Sequence, residues 1–400
     1  MNICMISQAL PYLPSRGGFR LYGGNLLRCL SRRHEIELIS LLADGDAEHL
    51  DWPREYCSRV QTIPVSRAGA ATRAANFLAG CLSGAAWHQR ETLRRLVREG
   101  IAARRWDVIH VEGDYPAALL PAASPIPRVL SLHDSWTLRC REMISCARTW
   151  REKLYYSALE VREPLFERRL YPRFDCSVVV ARPDLDEVRR VAPRARVELI
   201  PYGTDTEYFH PVAAEKQPAT LVFHGHLGYA PNVEAVVEFA RDIFPLVRRD
   251  VPQCIFHIVG ADPSPEVRAL AARDGIRLSA NPPDIRPAVR ESTVYVCPIR
   301  HGTGLKSKVL EAMAMRMPIV AYHPGSTVGI ACANGEHLMA PETPQAFARD
   351  VLLLLRDAAL RDRLARAARR LVEENYSWES RAKSFEELYR SLGAEHRFAA

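Results

Sequence analysis

The densest chemical grouping in the 400-residue sequence is the stretch 297–320, CPIRHGTGLKSKVLEAMAMRMPIV. An apolar run ends at Ile299, Gly302 and Gly304 leave the backbone bare, and a helical pattern starts near Ser307. Lys306 and Lys308 stand at that start, where helix amides without intrahelical acceptors and the helix dipole already favour negative charge. Glu311 follows one turn in, where a carboxylate can accept two hydrogen bonds from a vicinal diol. Two cations, a helix N-terminus and close backbone together describe a site for a diphosphate ester that needs no metal. Taken as structure alone, the same residues are a glycine-rich turn and a solvated Lys–Glu helix pair.

Other loops carry sparser signals. In 221–236, LVFHGHLGYAPNVEAV, a strand ends at Gly225, His226 follows, and Asn232 begins or caps a helix. PSRGG at 14–18 comes after the first apolar run, and Gly17 and Gly18 present amides that no side chain obstructs. HVEGDYPA (110–117) brings Glu112 and Asp114 to a strand end as candidates for contacts to a second substrate. SLHDSW (131–136) does the same for His133, whose imidazole, neutral or charged, could hydrogen-bond a substrate oxygen and steady charge on a leaving group. The plainer reading of His133 is a His–Asp pair in a turn or cap, and a lone histidine such as His226 can equally be structural.

These loops need strands to place them. Apolar runs at 2–7, 35–41, 107–112, 128–134, 176–181 and 196–201 alternate with helical patterns, including one long helical stretch over 135–173. Residues 201–218 lack periodicity and read as a linker, after which a second alternation begins at ATLVFHG. Strand–helix–strand order of this kind predicts an α/β chain of two Rossmann-like domains, each a parallel sheet covered on both faces. The expected boundaries are 1–204, 205–375 and a returning C-terminal helix over 376–400 that packs back on the first domain. In such sheets ligands gather at the carboxyl ends of strands, where every loop named above lies.

Composition narrows the classes. No run of about 18 apolar residues suggests a transmembrane helix, and the N-terminal run lacks a basic leader and reads as a first strand. Ten scattered cysteines form no C-x-x-C pair or zinc spacing, which suits reduced, buried thiols in a cytoplasmic protein and argues against a structural metal. The net charge of +7 lies wholly in residues 1–200, which hold 30 Lys+Arg against 23 Asp+Glu. Within them, 66–105 has eight arginines and two glutamates, interleaved with Phe77, Leu78, Trp87 and Leu96. Such a segment fits an anionic membrane surface or a pyrophosphate-bearing lipid, or else a helix pair with a solvated arginine face. No motif points to nucleic acid.

The stretch 297–320 resembles the signature of the family 4 retaining glycosyltransferases (the "group 1" family). Glu311 matches the second glutamate of that family's Glu-x7-Glu motif, and the first falls at Thr303. PYGTD (201–205) is similar to the family's hinge, NPPDIRPAVREST to the loop beside the nucleotide base at Asp284, and YSW (376–378) to the start of its returning helix. The resemblance implies a GT-B fold, with two Rossmann-like domains facing each other across a cleft. It implies a nucleoside-diphosphate-sugar donor held by Gly17, Gly18, Gly225, His226, Asp284, Thr303, Gly304, Leu305 and Lys308. Catalysis falls to His133, Lys306 and Glu311, with no metal or other cofactor, in a hexosyl transfer that retains anomeric configuration. Domain closure would bring His133 to the donor and exclude water. The implied acceptor is a glycan or lipid-linked molecule, in envelope or exopolysaccharide assembly at the inner face of the membrane. A nucleotide-sugar epimerase and a non-catalytic binding or scaffold protein are the alternatives. A nicotinamide dehydrogenase is disfavoured, since the first loop lacks G-x-G-x-x-G.

Overall fold

The computed structural model describes residues 1–15, 18–65, 84–147, 149–300 and 305–399. The chain divides into two units, Met1–Pro201 with Arg381–Ala400, and Tyr202–Ser380. The breaks therefore fall after Pro201 and Ser380, against 204/205 and 375/376 expected from sequence. The expected linker 201–218 is tied into the second unit. The Thr204 amide donates to Tyr376 O at 2.6 Å, and the Arg369 guanidinium donates to the carbonyls of Thr206 and Phe209.

The first unit is built on seven parallel strands: β1 Asn2–Ser7, β2 Glu35–Ala43, β3 Arg59–Val65, β4 Val108–Glu112, β5 Arg128–Ser131, β6 Cys176–Val179 and β7 Val197–Leu199. Their order is β3-β2-β1-β4-β5-β6-β7, so the sheet reverses direction of growth between β1 and β4. Strand β3 was not anticipated. RVQTIPV is mostly half-buried and carries Pro64, which fits the sheet edge where a missing amide costs no ladder bond. The stretch 135–173 is two helices, Trp136–Cys146 and Trp150–Leu170. Ala147 leaves helical conformation, and Thr149 with Glu152 forms a reciprocal capping box that restarts the chain.

The second unit has five parallel strands: β8 Thr220–His226, β9 Ile255–Ala261, β10 Ile276–Ala280, β11 Val294–Cys297 and β12 Ile319–Ala321, in the order β10-β9-β8-β11-β12. Here the reversal lies between β8 and β11. Strand β11 is buried throughout and β8 as far as His224 because helices cover both faces, with Phe223, Phe239, Phe256 and Tyr295 at the middle of the core. Asn232 is not the cap of its helix. The helix Ala230–Glu238 starts two residues earlier, and buried Asn232 donates back to His226 O at 2.8 Å. All eight cysteines with described side chains are free thiols, six of them buried.

The basic segment 66–105 ends in one helix, Gly84–Ala102, whose Leu93, Leu96 and Val97 are buried in the first core. Leu96 thus faces the protein and not a membrane; Phe77, Leu78 and the Trp87 side chain lie outside the described residues. Gly100 of this helix sits flat on the buried Trp106 indole: a Cβ there would lie 2.0 Å from a ring carbon. Overpacking at a rigid ring costs about 1–3 kcal/mol. Gly100→Ala is therefore expected to lower the melting temperature of the first unit, despite the better helix propensity of alanine, in a calorimetric scan that resolves the two units.

Candidate functional site

In the second unit the residues singled out from sequence converge on the β8/β11 reversal, the crevice where open α/β sheets bind ligands. Strand β8 delivers Gly225 and His226, and the loop after β11 delivers Leu305, Lys306 and the helix Ser307–Ala314. Buried Ser326 donates to the carbonyls of Cys297 and Ile299, which pins the departure of that loop. Leu305 packs partly buried against the core. Lys306 takes the N-cap position and Lys308 lies in the first turn, so both cations stand among the free amides of the helix. A side chain at Gly225 would meet Lys308 Cε at 3.0 Å and Asn232 Nδ2 at 3.1 Å, so the bare strand end gives room to the Lys308 stem. Its ammonium stands 6.0 Å from the Phe223 ring centroid.

Glu311 is partly exposed, and its Oε2 lies 2.7 Å from Nε2 of the buried His224. His224 was missed in the sequence, although it sits one residue before the glycine that was noticed. The ring stands edge-on to Tyr295 at 5.4 Å and so has its plane set by the core. The result is a partly exposed carboxylate with one oxygen anchored, on the same helix as Lys308. Exposed His226 pairs with Asp262 at 3.3 Å. Asp284 grips Arg286 with both oxygens, and the Arg286 guanidinium lies 3.8 Å over the Tyr208 ring. That stack is a flat surface the sequence did not reveal. Gly17, Thr303 and Gly304 lie outside the described residues.

In the first unit Gly18 opens the helix Gly18–Leu30, and a side chain there would meet nothing within 4 Å, so its amide face is open. His133 follows β5. Its ring lies 4.0 Å from the Phe19 ring and edge-on to Tyr22 at 4.6 Å, and Nε2 is closed off from solvent with no hydrogen-bond partner. Burial, helped by nearby His110, lowers its pKa to about 3, so the imidazole is neutral at pH 7 and the charged form drops out.

Glu112 is fully buried, below the rim and not on it. Neither of its oxygens has a hydrogen-bond partner, although His110 Nε2 is 3.6 Å away, and burial raises its pKa. Gly23 gives it room: a Cβ there would come within 2.6 Å of Oε2. Asp114 has its Oδ1 sealed from solvent. Burial first, then Glu167 and Glu163, push its pKa up to about 8. Glu112 is the last residue of the buried strand β4 and Asp114 opens the helix that follows it, and burial disfavours the charged form of both carboxyls. Among the described residues no group of three or more His, Cys, Asp or Glu could hold a metal ion.

The sequence model of the family described as Glycosyl transferases group 1 matches residues 218–357, and that of Glycosyltransferase Family 4 matches residues 16–208. An uncharacterized 44.6 kDa protein in the cps region of Klebsiella pneumoniae is 20% identical over 296 residues, 71% of this chain and 74% of that protein. An uncharacterized glycosyltransferase of Methanocaldococcus jannaschii is 28% identical over 106 residues, 26% of this chain and 27% of its own. Among solved structures, a sucrose-phosphate synthase from Thermosynechococcus elongatus matches with a TM-score of 0.65 at 18% identity, covering 98% of this chain and 99% of that one. Anabaena HepE in complex with UDP and glucose matches with a TM-score of 0.62 at 14% identity, covering 98% and 100%. Such likeness shows the fold, a GT-B architecture of two Rossmann-like units.

The Asp114 environment makes stability depend on pH. The folded-state pKa lies above the unfolded one, so the folded chain binds the extra proton between about pH 4 and 8, and this group's contribution falls as pH rises through that window. Asp114→Asn is expected to melt higher than wild type at pH 8 and to show a flatter pH dependence. Equal melting temperatures of the two proteins at pH 8 would show that the carboxyl is not held in its neutral form.

Proposed function

We propose an assignment of donor and acceptor for this chain, which belongs to the family 4 glycosyltransferases (glycosyl transferases group 1). The second unit takes a nucleoside-diphosphate sugar, and the first unit takes the acceptor. The observation that carries this reading is the juxtaposition of Lys306, Lys308 and the N-terminus of Ser307–Ala314 with the His224-anchored Glu311, all at the β8/β11 reversal.

In this reading the diphosphate lies against the two lysines and the first-turn amides, and the free Glu311 oxygen accepts from the ribose diol. Arg286 stacked on Tyr208, with Asp284 holding it, offers a plane beside the base. In the transfer the bond between the anomeric carbon and the diphosphate oxygen breaks, and its electron pair leaves with the nucleoside diphosphate. The acceptor hydroxyl oxygen forms the new bond on the same face, and its proton passes to the departing phosphate oxygen. Fixed positive charge at Lys306, Lys308 and the helix end is worth most at that moment, when charge develops on the leaving group in a place that needs no reorganisation. In this reading Gly18 and the neutral His133 are the first unit's uncharged hydrogen-bonding groups, which do not compete for the negative charge. The chemistry calls for no metal, because two cations and a helix end stand where a divalent ion would screen the diphosphate. The Klebsiella relative of the cps region supports a role in polysaccharide synthesis, and the UDP bound by Anabaena HepE makes uridine nucleotides the first donors to try.

Three measurements test this. Melting temperature against UDP-, GDP-, ADP- and TDP-sugars without metal should rise with one nucleotide class, since a ligand 100-fold above its dissociation constant stabilises by about 2.7 kcal/mol. No rise with any of them at millimolar concentration would remove the donor assignment. Lys306→Ala should lower turnover at saturating donor by about 100-fold or more while leaving the melting temperature unchanged, and wild-type turnover in that variant would sink its role. His224→Phe keeps the packing against Tyr295 but frees Glu311, and should weaken nucleotide binding more than turnover.

A further inference from the structure

The helix Trp150–Leu170 is turned inside out. Its core side carries Glu163 and Glu167 beside Leu159 and Leu170, and Glu167 accepts from the backbone and hydroxyl of Thr137 and the hydroxyl of Ser135. Its solvent side carries the large apolar groups: Trp150 is 70% exposed, Leu154 63%, Val161 74% and Leu165 56%. At 3.6 residues per turn these four fall on one stripe about a sixth of a turn wide that runs most of the helix, with Ala158 at its edge. Single exposed apolar residues need no account, whereas a continuous stripe of this size marks a contact surface.

We propose that this stripe is where the protein lies on an anionic lipid surface. The charges around it select that occupant. Arg151, Lys153, Arg162, Arg168 and Arg169 are exposed on the same helix. The helix's four glutamates are drawn away from it: Glu163 and Glu167 inward, Glu160 to Arg141 at 3.0 Å, and Glu152 back to the Thr149 amide at 3.1 Å. Arg151 lies 5.5 Å over the Trp150 ring, so the aromatic end of the stripe is itself cationic. Apolar groups bordered by arginine, with a tryptophan at one end, match the boundary between acyl chains and phosphate headgroups. A face of this charge on a second copy would repel it. Among the described residues no helix is long and apolar enough to cross a membrane, so the attachment is peripheral. This places the lipid contact on a different element from the basic stretch 66–105, whose Leu96 points into the core.

The test uses the full chain and needs no donor, so its failure would leave the transfer assignment standing. Flotation with vesicles of phosphatidylglycerol and phosphatidylcholine in equal parts should carry the protein up at low salt, and less so at physiological salt. Replacing Leu154→Ser together with Leu165→Ser should weaken binding about tenfold or more with an unchanged melting temperature, because both side chains are exposed. Arg168→Gln with Arg169→Gln should weaken it too and flatten the salt dependence. Binding of the double serine variant equal to wild type, equal binding to phosphatidylcholine alone, or no flotation of wild type overturns the proposal. So does a lipid-free dimer in analytical ultracentrifugation that the serine variant abolishes, which would assign the stripe to a second copy.

Discussion

Everything at the rim of the second unit depends on one point where two neighbouring strands both lack a side chain. Gly225 and Gly260 pair across β8 and β9, and a Cβ on Gly260 would fall 1.8 Å from the Gly225 carbonyl oxygen. That close approach lets the Lys308 stem cross the strand end and Asn232 reach back to His226 O. The cations at the helix start therefore rest on backbone geometry set by hydrogen-bonded strands, which is far stiffer than a loop. Glu311 gains the same stiffness from the other direction, through a histidine whose ring is fixed against Tyr295.

The two units handle charge in opposite ways. At the second rim the ionisable groups are exposed or paired: His226 with Asp262, Asp284 with Arg286, and Arg300 with Glu238 at 2.7 Å. In the first unit burial pushes His133, Glu112 and Asp114 each toward its neutral form. A site that binds a diphosphate wants fixed positive charge and partners that hold it in place. A site that receives a neutral hydroxyl gains more from uncharged donors and acceptors, which discriminate by geometry and do not draw the anion across.

How much of this the sequence discloses follows from how local each signal is. Lys306, Lys308 and Glu311 are legible because all three lie within two turns of one helix and their spacing alone puts them together. His224 is not, since its partner lies 87 residues away and only the β8/β11 adjacency joins them. Glu112 reads as a rim residue because strand ends carry function, yet a parallel strand covered on both faces buries even its last side chain. The break at 147–149 was written in the sequence as Thr149-x-x-Glu152, a capping box hidden inside an otherwise continuous helical pattern. Strand β3 was the reverse case, an edge strand with proline whose weak alternation gives no periodic signal.

The first unit is made from two distant pieces of chain. Tyr389 reaches His110 Nδ1 at 2.6 Å beneath the sheet, and Glu386 lies 2.7 Å from Arg33 and 3.2 Å from His34. Glu386 and Tyr389 are made after the whole of the second unit. During synthesis the second unit, Tyr202–Ser380, has all its residues before the first unit can close, although the first is begun earlier. Residues 1–201 must therefore wait, with the bed for the terminal helix uncovered, for the length of another domain's translation, about ten seconds or more at bacterial elongation rates. The newborn chain passes through a stage in which its earliest part is its least finished, so synthesis halted just after Ser380 leaves a second unit with all its residues attached to an open first one.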